Sequence, residues 1–179
     1  GVKTNRDFLV NCLKTKEFLE GDTTSDFIER VNPSRKLEIN KAEIVHVTAI
    51  AAMWIQQQNR NNSNVAKFMP SGWTNGRLPN QKIAFEFENK EYVVEYKQQN
   101  NNKFLFSSNK EAFIYSVDKN GIDLVFDSKR VYSRVTVAGS SILVHMPYGD
   151  IMLELKPRFR MPGTETAIGG LVAPVSYTH

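Results

Sequence analysis

Along this chain the spacing of apolar residues changes character twice. In Ile44 to Ile55, which reads IVHVTAIAAMWI, apolar positions fall on every side of a helical projection. Stepping about 100° per residue from Glu43 places Ile44 and Ile55 on one side, with Val45, Ala49 and Ala52 roughly opposite Glu43. Met53 takes a third flank, and Ile50 and Trp54 share the last with Glu43. Only His46 and Thr48 interrupt the pattern, so no polar stripe exists. A helix that is apolar all round has to be covered all round. Asn40 is placed as its N-cap, with Glu43 at capping-box spacing, and Gln56 to Asn59 bound the far end. The run is shorter than the roughly 18 apolar residues of a membrane span. It is therefore expected to lie inside a soluble domain, with no membrane partner.

From Gln81 onward the period becomes two. Ile83, Phe85 and Phe87 alternate, a turn at Asn89-Lys90 leads to Tyr92, Val94 and Tyr96, and a loop is expected over Gln98 to Asn102. Phe104 to Phe106, Ala112 to Val117, Leu124 to Phe126, Val131 to Val137, Ile142 to Met146 and Ile151 to Leu155 follow. Their connections are Asp118-Lys119-Asn120-Gly121, Ser128-Lys129, Ala138-Gly139-Ser140 and Pro147 to Asp150, all of turn composition. About eight short strands with tight turns and no intervening helices make an antiparallel meander, not a parallel sheet.

An all-apolar helix followed by such a meander predicts an α+β fold. A long central helix is wrapped by an antiparallel barrel of about eight strands, preceded by a short helical segment. Residues 40–58 as helix span roughly 27–28 Å. Strands of ordinary length span roughly 17–20 Å, so the helix can thread the barrel and protrude. Eight-stranded barrels are only just wide enough to fill with side chains. A sheared or partly open barrel is therefore expected, eased by Ala49, Ala51 and Ala52.

Outside this unit, residues 5–20 read as one amphipathic helix, capped by Asn5 or Thr4 and stopped by Gly21, with Phe8, Leu9, Leu13 and Phe18 on its apolar face. A second helical turn sits around Asp26-Phe27-Ile28, and Asn32-Pro33-Ser34 breaks it. These thirty or so residues are too few to fold alone and are expected at another domain's edge. Residues 59–80 form a long irregular connection with an unusual apolar load, Phe68, Met69 and Trp73. Connections beyond about 12–15 residues are usually functional or disordered, and the aromatic content favours an ordered, docking segment. After Lys156 periodicity is lost among Pro157, Pro162, Gly163, Gly169 and Gly170. The opening Gly1-Val2-Lys3 and this tail are expected to be continuous with a longer polypeptide.

Composition alters the picture little. The 179 residues fit one domain with attachments, and 41% hydrophobic content is ordinary for a chain with a core. A formal charge of +4, with lysines and arginines scattered, weakens a nucleic-acid reading. The single cysteine, Cys12, leaves no internal disulfide, suits a reducing compartment and is expected buried. His46, His145 and His179 are not at metal-ligand spacing. His46 is read as a hydrogen-bonded core residue and His145 as surface or partner-facing. No glycine-rich phosphate loop opens a helix. Glu86, Glu88, Glu91 and Glu95 gather about a hairpin as a solvated face. Phe68, Met69, Trp73 and Arg77 are the candidate partner-binding residues, with Trp73 equally suited to covering one mouth of the barrel. Exposed anchors of the Phe68, Met69 and Trp73 kind become interface hot spots.

Gly1-Val2-Lys3-Thr4-Asn5 with Phe8-Leu9, then Phe18, Gly21, Thr24 and Phe27-Ile28, resembles the closing helix of a biotin carboxylase domain. Gly169-Gly170-Leu171-Val172-Ala173-Pro174 resembles the lead-in to a biotin carboxyl carrier domain. Between such ends, α subunits of biotin-dependent acyl-CoA carboxylases carry a helix-in-barrel module that docks onto the carboxyltransferase β subunit. The resemblance thus implies residues 1–32 as the end of a biotin carboxylase domain, 33–157 as the subunit-docking domain and 158–179 as linker toward a carrier domain. Ser71-Gly72-Trp73 and the short linker look more like the 3-methylcrotonyl-CoA branch than the propionyl-CoA branch.

Two departures limit what carries over. Val175-Ser176-Tyr177 replaces the family's continuation of Ala-Pro-Met, and the Ala-Met-Lys-Met biotinylation site is absent. Biotin, ATP and magnesium are thus implied for the parent ligase and no cofactor for this stretch, which should neither hold biotin nor hydrolyse ATP. The implied partners are the β subunit and the remainder of the α subunit, in a bacterial cytoplasm or a mitochondrial matrix. Two other functions compete: a lipocalin-like small-ligand binder, which needs an empty barrel, and a single-stranded nucleic-acid binder using strand aromatics. Against the last, Phe85, Phe87 and Tyr96 alternate inward and read as core.

Overall fold

A computed structural model describes residues 5–36, 38–64, 76, 79–100 and 102–158. Its organising element is helix α4, Lys41–Asn62, which opens with the expected capping box. The Glu43 N–H donates to Asn40 Oδ1 at 2.9 Å, and the Asn40 N–H donates to the Glu43 carboxylate at 2.8 Å. Eight consecutive residues, Val47 to Trp54, are buried, none more than 9% exposed. Eight residues exceed two helical turns, so every direction around the axis is covered. Thr48 is tolerated there because its hydroxyl donates to the Ile44 carbonyl at 2.9 Å. The helix runs four residues beyond the expected end at 58. Gln57 to Asn62 are polar but carry no breaker, so the helix continues until Ser63 turns extended.

Around α4 stand eight strands: β1 Gln81–Phe87, β2 Lys90–Asn100, β3 Lys103–Phe106, β4 Glu111–Val117, β5 Gly121–Phe126, β6 Lys129–Ala138, β7 Ser141–Met146 and β8 Gly149–Leu155. Each pairs antiparallel with the next, and β8 returns to β1, closing the barrel. Of the expected sheared or partly open barrel, the partly open form is therefore corrected. The closing seam is short: Phe85 opposes Leu155, Glu86 opposes Glu154, and the Lys156 N–H donates to the Ala84 carbonyl at 2.9 Å. Two carboxylates facing each other are unfavourable. Lys156 pairs with Glu86, and the Ser140 and Ser141 hydroxyls donate to Glu154, holding its carboxyl below the usual range.

Turn chemistry sets the register. Glu88-Asn89 and Asp127-Ser128 both take two consecutive positive φ values, the backbone of a two-residue hairpin turn, one residue earlier than expected in each case. At Asp118 the carboxylate accepts the N–H groups of Asn120 and Gly121 at 2.7 and 2.8 Å. The loop expected over Gln98 to Asn102 is instead largely strand, since β2 runs to Asn100 with a register shift between Gln98 and Asn100. Pairing with β3 supplies the backbone hydrogen bonds that this polar run does not signal.

Inward residues of the strands meet α4 in one core. Phe85, Phe104, Ile122, Leu124, Ile142, Val144, Ile151 and Leu153 are each at most 1% exposed. Phe106 packs edge-on against Phe126 at 5.1 Å between ring centroids. The buried Ser133 hydroxyl donates to Met146 Sδ at 3.2 Å.

The N-terminal helix expected over 5–20 is two helices, α1 Arg6–Lys14 and α2 Lys16–Leu19, followed by α3 Phe27–Val31. Thr15 breaks the run in extended backbone and caps α2 by accepting from the Phe18 N–H. Cys12 and Phe27 are buried, but Leu9, Leu13, Leu19 and Ile28 stay 43–75% exposed. Polar ties hold this segment: Asn11 Nδ2 donates to the carbonyls of Ser34 and Lys36, and Arg6 lies 3.5 Å from Asp150.

Candidate docking site

Strand alternation gives the barrel two mouths, and α4 crosses from one to the other. At the first, with the turns at 88–89, 107–110, 127–128 and 147–148, sits the start of the helix. Lys36 reaches Glu88 at 3.9 Å, and the His46 ring stacks on Phe126 at 5.4 Å. At the second, Gln58 Nε2 donates to the Asp118 carbonyl at 3.0 Å. A 22-residue helix is roughly 33 Å long, so its last turns project past strands of mostly six or seven residues. β1 also begins at this second mouth, because it runs back toward the turn at 88–89. The connection 63–80 thus leaves and re-enters the fold at the same end. Phe68, Met69, Trp73 and Arg77 belong to it and lie outside the described residues.

The first mouth holds two perturbed titratable groups, His46 and Tyr148. His46 is only half-buried, and its Nε2 has no hydrogen-bond partner, which corrects its reading as a hydrogen-bonded core residue. Stacking on Phe126 holds the ring instead. Burial, with Lys129 and Lys110 nearby, pushes its pKa down, while Asp127 opposes them weakly. Lys110 reaches across the Phe126 ring at 5.6 Å and pairs with Asp127 at 2.7 Å. The Tyr148 hydroxyl is also buried without a partner, and burial, with Glu43 nearby, raises its pKa to about 12. No nucleophile is paired with a base here, and among the described residues no three His, Cys, Asp or Glu side chains gather as a metal site.

His145 lies on the outer wall, its Nδ1 3.0 Å from Asp150. The hairpin carboxylates behave as a solvated face: Glu95 pairs with Lys82 at 2.7 Å, Glu88 with Lys36, and Glu86 with Lys156. Sequence reading missed three outward rings, Phe113, Tyr115 and Tyr132. Strict alternation was the available signal, since Ala112 and Ile114 point inward and so turn Phe113 and Tyr115 out. Among the described residues no helix is long and apolar enough to cross a membrane. Neither a protein-family model nor a curated protein matches this chain.

Proposed function

We propose that this chain is a non-catalytic docking module of a biotin-dependent acyl-CoA carboxylase α subunit. It joins the biotin carboxylase region and the rest of its own subunit to the carboxyltransferase β subunit. The carrying observation is that the barrel lumen is occupied by the chain's own helix, with Val47, Ile50, Ala51 and Met53 fully buried. A barrel so filled offers its surface and its mouths to function, not its interior. Support also comes from the half-exposed Leu9, Leu13 and Ile28 of α1 and α3, an apolar face of the kind that packs against a neighbouring domain. In this reading biotin, ATP and magnesium act elsewhere in the parent ligase. The segment 63–80, with Phe68, Met69, Trp73 and Arg77, supplies the contact surface.

Sedimentation of the 179-residue chain mixed with a carboxyltransferase β subunit tests this. Association is expected, and it is weakened in a Phe68→Ala/Trp73→Ala double variant. Absence of association overturns docking; full binding by the double variant removes those two anchors only. The alternative, a lipocalin-like ligand binder, requires an empty lumen. Saturable fluorescence changes with a fatty acid or an acyl-CoA would favour it over docking.

A further inference from the structure

On the outer wall of β4, β5 and β6, three rings stand in the open, Phe113 at 41%, Tyr115 at 51% and Tyr132 at 52% exposure. Phe113 and Tyr115 are braced on β4, and Tyr132 stands on β6 opposite Asp123 of β5. Phe113 and Tyr115 meet edge-on at 5.0 Å, and the Arg130 guanidinium lies 4.3 Å over the Tyr115 ring. Arg130 is held in turn by Asp123 at 2.7 Å. Beside Tyr132 lies a groove of about 600 Å³ lined by Asn120, Tyr132, Arg134, Val135, Thr136 and His145. All of these but Val135 carry a side chain that can donate a hydrogen bond, and none is a carboxylate.

Several charges on this wall are paired. Lys103 is tied to Glu111 at 3.0 Å, Lys110 to Asp127 and Arg130 to Asp123 at 2.7 Å each. Arg134 has no carboxylate partner among the described residues, because its cross-strand neighbours are Gly121 on one side and His145 on the other. Gly121 offers no side chain, and His145 is engaged with Asp150. A planar guanidinium left open in a donor-lined groove is shaped for two-point recognition of a carboxylate.

We propose that this wall is a docking surface for a carboxylate-bearing segment of another protein, with Arg134 taking the acid and the exposed rings of Tyr132, Tyr115 and Phe113 taking an adjacent large apolar side chain. A free small anion would use the groove and leave the rings idle, whereas a polypeptide engages both. Tyr115, braced by Arg130, and Phe113, packed on Tyr115, lose little freedom on binding, which is the circumstance in which aromatic and arginine side chains become energetic centres of an interface. The proposal does not depend on the carboxylase reading.

The test is a ¹H–¹⁵N NMR titration of the 179-residue chain with a blocked Glu-Leu-Phe-Glu peptide, its Gln-Leu-Phe-Gln counterpart, and inorganic phosphate alone. With the glutamate peptide at millimolar concentration, shifts are expected on amides 113–115, 120–123 and 130–136. Arg134→Gln is expected to weaken binding by about tenfold or more, as for loss of a hydrogen bond to a charged group. Tyr132→Ala also weakens it, and added salt does so too. Both side chains are exposed, so these variants retain the fold, which the unshifted remainder of the spectrum verifies. Equal binding of the glutamine peptide, no shifts, or shifts on the β1–β2–β8 wall overturn the proposal. Phosphate alone reproducing the whole set overturns the polypeptide occupant. The same amides moving with protein concentration before peptide is added would assign the wall to a second copy of this chain instead.

Discussion

If α4 is a plug covered on every side, substitutions on opposite sides of it should both be costly. Ile50 is fully buried, and replacing it with alanine removes three carbons from the core. At about 0.8 kcal/mol per methylene the transfer loss alone is about 2.4 kcal/mol. The cavity left in a core that cannot collapse brings the total to about 2–5 kcal/mol. Ala52 is also fully buried and projects about 160° away, on the far side of the helix. Ala52→Leu adds volume where the wall leaves none and is expected to cost about 1–3 kcal/mol. On an exposed helix face the same change is nearly neutral, since the two residues differ little in helix propensity. Urea unfolding, followed by far-ultraviolet circular dichroism and tryptophan fluorescence, measures both. With a slope of about 1–3 kcal/mol/M, a 3 kcal/mol loss moves the midpoint down by roughly 1–3 M. Ala52→Leu within about 0.5 kcal/mol of the parent would refute the enclosure of α4, whatever Ile50→Ala does.

Three further consequences can be measured in the same way. His46 titrates lower in the folded chain than its ordinary value because of burial, Lys129 and Lys110, so as pH falls the unfolded chain takes up its proton first. Its effect on stability is therefore nil above about pH 6.5, grows as pH drops from there toward the folded value, and is constant below it; His46→Gln should flatten that slope, and an unchanged slope would remove His46 as its source. Asn40→Ala breaks the capping box and should cost about 0.5–2 kcal/mol, with faster amide exchange confined to the first turn of α4. Gly121→Ala puts a Cβ 2.5 Å from the Ser133 carbonyl oxygen and 3.2 Å from the Arg134 backbone, so a loss of about 1–3 kcal/mol is expected; a neutral midpoint would mean that β5 and β6 part there without cost.

Local order in the chain was enough to place most elements. The capping box of α4 lies within four residues, the alternation of β1, β5 and β7 within seven, and the tight turns within two to four, placed to within one residue, so a short window contains most of the signal. Cys12 as a buried residue and the inward rings Phe85 and Tyr96 were legible for the same reason. Misreadings came where a local cue was real but outvoted. The asparagines and glutamines at 98–100 look like a loop until β3 supplies partners, and Gln57 to Asn62 look like an end although nothing stops the helix.

Sequence by itself determined that a rod apolar on all sides needed a wrapper, and that the later hairpins were the only part of the chain able to provide one. Only the tertiary structure decided that the wrapper closes, because the seam joins Phe85 to Leu155 and Glu86 to Glu154 across the length of the meander. It alone decided which charges are left unpaired, since Arg134 is isolated by the register that sets it between Gly121 and His145. Register and closure are sums of many weak long-range contacts. No short stretch of residues carries them.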